Sequence, residues 1–229
     1  MRYLTTIFLF ILTFQLSQAQ THELGVFVGG SNFIGDVGAT TYISPNQIAF
    51  GGVYKWNRSP RHSFRLSLLY TDLEINDLKS DDPKRQQRGY QLTNDLVEAS
   101  LGIEFNFLDF DLHDGTKKAT PYLYSGISVA HYDNFYFTQN GQLTSEGTSS
   151  FAFGIPMVLG FKYRFMGNFI IAAEIGARYT FSDEIDGSAP DYDHDANTAF
   201  GNKYNNDWYM ITGVTLTYTF GRKPCYCVF

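Results

Sequence analysis

The side chains in this sequence that could do chemistry are charges of both signs set among small residues. Arg65, Glu98, Glu104, Lys162, Arg164, Glu174 and Arg178 each stand in a stretch where every second residue is polar or small. Carboxylates and cations in such proximity could relay protons or work as an acid–base pair. The alternation puts them on a single face, however, and isolated charges inside a narrow space are costly unless they pair. Ion pairs that plug a lumen are therefore the expected use of this network.

Other chemistry finds little support. The histidines are His22, His62, His113, His131 and His194, and none sits in a Ser/His/Asp or metal-ligand pattern. The run Asp191-Tyr192-Asp193-His194-Asp195 resembles the start of a calcium loop, with oxygen ligands at every second residue. Ala196 and Asn202 then stand where such a loop needs Gly and a bidentate acid, so an acidic, solvated loop is expected. Gly25, Gly29, Gly30 and Gly35 lack the Lys-Ser/Thr ending of a phosphate loop. No catalytic residue, metal or cofactor is expected. A net charge of −6 with no basic stripe excludes a nucleic-acid partner.

The elements that position these charges are strands. Met1-Arg2, an apolar run from Leu4 to Leu16 and small residues at Ser17 and Ala19 form the three parts of a secretory signal peptide, 1–19. No later stretch approaches the roughly 20 apolar residues of a spanning helix. Period-two alternation instead recurs eight times. One example is Val97, Ala99, Leu101, Ile103, Phe105 and Phe107 against Glu98, Ser100, Gly102, Glu104 and Asn106. Another is Phe151 through Tyr163 against Ala152 through Arg164. Several runs exceed the soluble norm and reach the roughly 9–11 residues of a tilted membrane strand. One face is bulky and uncharged, which suits lipid. The other is Gly, Ser, Thr and Ala with isolated charges, which suits the filled interior of a narrow barrel. Aromatic residues at 17% of the chain fit interfacial girdles.

The reading is an all-β protein, an eight-stranded antiparallel transmembrane β-barrel of the outer-membrane type over residues 20–221, surrounded by outer-membrane lipids. Links near Arg58–Arg61 and Met166–Asn168 are short and that from Asp109 to Lys118 is moderate. The links after the first, third, fifth and seventh strands are expected to be long and polar. Short periplasmic turns and longer outer loops then place both termini in the periplasm.

The tail, 222–229, follows Pro224 away from the barrel wall. Cys225 and Cys227 lie only two apart, where a mutual bond would close a strained ring. Pairing with a partner protein and free thiols both stay open. A basic, cysteine-bearing tail is a plausible docking element.

These residues resemble a family. The opening Glu23-Leu24-Gly25-Val26-Phe27-Val28-Gly29-Gly30-Ser31-Asn32-Phe33-Ile34-Gly35-Asp36 is similar to the first signature of the PorG-like proteins of the type IX secretion system. Those are outer-membrane barrels of the Bacteroidetes, grouped under a domain of unknown function. Glu98-Ala99-Ser100, Glu104 to Phe107, Thr120 to Tyr124, Ile155-Pro156 and Glu174 to Asp183 resemble later strands of the family. Glu184-Ile185-Asp186-Gly187-Ser188 departs from its usual continuation. The resemblance implies a non-enzymatic component that anchors or positions a periplasmic ring, made by a lipoprotein and its partner. Cys225, Cys227 and Phe229 would be contact residues. The alternative is a small outer-membrane barrel with an adhesion or solute role unrelated to secretion.

Overall fold

The computed structural model describes residues 21–112, 116–190, 199–202 and 205–221. The signal segment, the tail with Cys225, Cys227 and Phe229, His113, and the 191–195 run lie outside the described residues.

Eight strands form the wall: β1 (Thr21–Ile34), β2 (Gln47–Asn57), β3 (His62–Asn76), β4 (Gln91–Asn106), β5 (Ala119–Phe137), β6 (Leu143–Met166), β7 (Phe169–Thr180) and β8 (Trp208–Gly221). Each pairs antiparallel with its sequence neighbour, and β1 closes on β8 with Thr21 opposite Gly221. The chain is thus an all-β, eight-stranded antiparallel barrel of the outer-membrane type, as the alternation predicts. Between β3 and β4 stand a 3-10 turn, Asp77–Lys79, and a short α-helix, α1 (Pro83–Arg88), started by Asp82 and ended by Gly89 in the left-handed region.

The faces are inverted relative to a soluble protein. Leu66, Ile127, Phe151 and Leu159 are exposed on the outside, while Arg65, Glu98, Glu104 and Lys162 are buried within. Aromatic rings pair across strands at two levels of the outer face. One level carries His22–Tyr54 and Trp56–Phe64; the other carries Phe50–Tyr70 and Tyr179–Trp208. Aliphatic residues fill the band between, as a lipid-facing belt with interfacial girdles requires.

One link differs from the sequence expectation. The connection after β5 is not a long loop: β5 and β6 continue pairing to Phe137–Leu143 and turn over 138–142. The outer parts of these strands carry Asn134, Ser145, Thr148 and Ser149, so the apolar alternation that marks a lipid-facing strand fades there. Backbone pairing does not need that alternation, and the hairpin runs on past the belt. The links 35–46, 77–90 and 181–207 at the same end are long, and 58–61 and 167–168 at the end bearing Thr21 and Gly221 are short.

Candidate functional site

The interior is built in three layers. Nearest Thr21 and Gly221 is an ionic layer. Glu104 on β4 is met by Lys162 from β6 at 2.6 Å and by Lys55 from β2 at 2.7 Å. Arg65 on β3 donates two parallel bonds to Glu174 on β7, at 2.8 and 2.9 Å, and its Nη1 lies 3.8 Å from Glu104. The forked geometry is the strong form of such a pair. The Tyr122 hydroxyl donates to Glu174 at 2.6 Å, and the Lys55 ammonium stands 5.1 Å from the Tyr122 ring. One step further in, Arg178 and the Tyr209 hydroxyl both donate to Glu98 Oε2, at 3.1 and 2.6 Å.

Period-two geometry explains these positions. Inward residues of a strand are two apart, so Arg65, Ser67 and Leu69 climb one line of the wall while Phe64, Leu66 and Leu68 face outward. Glycines occupy neighbouring inward positions, Gly102 opposite Arg65 and Gly160 opposite Glu174, and the Tyr122 ring fills the space at Gly160.

Of the seven residues that alternation singles out, six meet in these pairs. Arg164 does not: it donates to the carbonyls of Gly167 and Leu112 and so ties down the link 107–118. That link carries Phe110 and Leu112 into a small buried cluster with Ile170, and Phe110 sits 4.7 Å under the Lys162 ammonium. Sequence reasoning left out Lys55, Tyr122 and Glu23. Glu23 accepts from Asn57 and Thr217, both at 2.9 Å. All three share the small, polar face, which was the available signal.

The second layer is apolar. Phe27, Leu69, Leu73, Ile75, Leu96, Tyr132 and Ile211 form a buried cluster inside the barrel, entered from the loop end by Val37 and Ile185. The third layer is a cap of three links. Asp186 Oδ2 accepts the amides of Asp36 and Val37, at 2.8 and 3.0 Å. Asp77 accepts the Gly38 amide at 2.8 Å and two bonds from Arg88. Asp207 accepts the Ile185 amide at 3.0 Å. Burial pushes the Asp186 carboxyl above the ordinary aspartate range, and burial next to Asp186 and Asp183 does the same to Asp207.

Among the described residues no group of three or more His, Cys, Asp or Glu side chains is placed to hold a metal ion. The lumen carboxylates are held by cations, hydroxyls and an amide. The arrangement can lock the wall and fill the bore.

A family model described as a domain of unknown function, DUF6089, matches residues 1–229. None of the curated proteins compared with the chain matches it. Among solved structures, the N-terminal β-barrel domain of Pseudomonas aeruginosa OprF is 15% identical at a TM-score of 0.43, covering 89% of this chain and 98% of that one. Neisserial surface protein A is 10% identical at 0.46, covering 89% and 98%. A major outer membrane protein from Thermus thermophilus is 12% identical at 0.45, covering 87% and 99%.

Proposed function

The chain belongs to the DUF6089 family, and from that premise we propose that it is a non-enzymatic outer-membrane barrel acting through its surfaces, as the part of the type IX secretion system that anchors or positions the periplasmic ring. The observation that carries a structural rather than a conducting role is the filled bore, with Arg65, Lys55, Lys162, Tyr122 and Tyr209 all fully buried. An eight-stranded interior leaves room for side chains and little else. The secretion assignment is supported by the resemblance of the segment from Glu23 to Asp36 and of the later strands. In this reading the apolar belt is covered by lipid, and both termini and the short links face the periplasm. Cys225, Cys227 and Phe229 then meet the ring lipoprotein or its partner.

The test is a cross-linked pull-down from intact cells, with a tag in the 138–142 turn and elution with and without reductant. Recovery of the ring proteins is the expected result. Their loss on reduction, and in Cys225→Ala with Cys227→Ala, places the contact at the tail. Recovery of other barrels alone rejects the ring reading.

A second reading, adhesion without a secretion role, is favoured by Tyr42 and Ile43, which stand 69% and 55% exposed on the link 35–46. Deleting 40–44 would then abolish surface attachment and leave secretion intact.

A further inference from the structure

Among the described residues, the loop-end cap holds more carboxylates than cations. Link 35–46 contributes Asp36; link 77–90 contributes Asp77, Arg85 and Arg88. The link after β7 contributes Asp183, Glu184 and Asp186, and Asp207 leads into β8. Tyr132 of β5 faces the same group, its hydroxyl near Ser182 and Glu184 at 3.0 and 3.2 Å.

Arg88 lies within electrostatic range of Asp186, and neither guanidinium bonds Asp183 or Asp207. Arg88 donates to Asp77 and to the Asp36 carbonyl, and Arg85 donates to the carbonyls of Gly35 and Gly38. Asp183 Oδ1 and Asp207 Oδ1 are buried with no hydrogen-bond partner, and Asp207 as a whole residue is buried, 1% exposed. Asp207 Oδ1 is pressed against the backbone where link 35–46 begins: a Cβ built on Gly35 would stand 2.6 Å from it. Carboxylates crowded in a desolvated site cannot all ionise without mutual repulsion.

We propose that this cap is a proton-dependent lid, closed while protons neutralise the carboxylates around Asp183 and Asp207 and loosened when those protons leave. The hinge side is set by the amide bonds to Asp186, which join the link 35–46 to the link after β7, and by the Ile185 amide bond to Asp207, which ties that link back to the foot of β8. What loosening would uncover is the apolar layer, into which Ile185 is inserted.

The sign follows from linkage. Burial and the neighbouring Asp186, Asp36 and Glu184 raise the Asp183 carboxyl from 3.8 to about 7. A carboxyl raised on folding stabilises the closed form fully below its unfolded value, and that contribution is lost as pH rises towards and through the folded value. The lid is therefore tight in acid and weakens from about pH 4 upward to neutrality and beyond.

The measurement is hydrogen exchange of the full chain in lipid nanodiscs at about pH 5 and about pH 8.5, expressed as protection factors so that intrinsic exchange chemistry cancels. Protection of the Asp36, Val37 and Ile185 amides falls by at least about tenfold at the higher pH in the native chain, while wall amides of β3 and β7 hold. Asp207→Asn keeps the acid-level protection at both values. Asp183→Asn decides the matter if the first variant does not fold. Glu146→Gln, on the distant hairpin, follows the native profile. Equal protection of the cap at both pH values, or a native pH profile in the folded asparagine variants, overturns the proposal.

Discussion

At Glu104 three cations converge on one carboxylate inside a wall that excludes water. Removing it leaves Lys55 and Lys162 without their carboxylate partner, beside an Arg65 that keeps Glu174. Glu104→Ala is expected to cost about 3–5 kcal/mol, the range for breaking a buried pair from one side. Reversible urea unfolding in lipid vesicles reads this directly. Replacing Arg61 or Asp109, an exposed pair at 2.6 Å, should change stability by less than about 1 kcal/mol in the same assay. These residues were legible in unequal degree. Glu98, Glu104, Glu174 and Arg178 interrupt runs of small residues and so announce themselves. Lys55 sits between Tyr54 and Trp56, and only its partner across the bore gives it meaning. The cap aspartates were invisible for another reason: in a polar link an acid looks solvated, and only three-dimensional closure puts it against backbone amides.

The strands carry their own test. Leu66 lies in the aliphatic band between the two aromatic levels. Leu66→Arg should cost about 2–4 kcal/mol in vesicles, as for a cation near the bilayer midplane. The same change in a water-facing wall would be nearly neutral. On the opposite face of β6, a Cβ on Gly160 would collide with the Tyr122 ring, whose hydroxyl holds Glu174. Gly160→Ala is expected to lose about 1–3 kcal/mol through overpacking, read in the same unfolding assay. Strand number, order and facing follow from alternation because the period of side chains is fixed at two. Strand ends do not. Beyond the belt nothing forces one face to be apolar, so the β5–β6 hairpin continues through serines and threonines. The link 107–118 hides its role similarly: Phe110 and Leu112 resemble belt residues in sequence yet fold beneath the bore.

Taken whole, the described residues stack Phe110, an ionic layer, an apolar layer and the three-link cap along the bore. Purified protein in a planar bilayer should therefore give no steady conductance above the bare membrane. A regular open step in the native chain would contradict a filled bore. Thr21 lies opposite Gly221, and the seam between β1 and β8 is paired over its full length like any other. The start and finish of the described wall thus stand side by side, and no strand is first in any structural sense. A gene that joins residue 221 to residue 21 through a short linker and begins instead at the 58–61 turn would encode the same wall with every strand pair kept. The order in which the ribosome delivers the strands is a fact about the gene, and the finished barrel carries no trace of it.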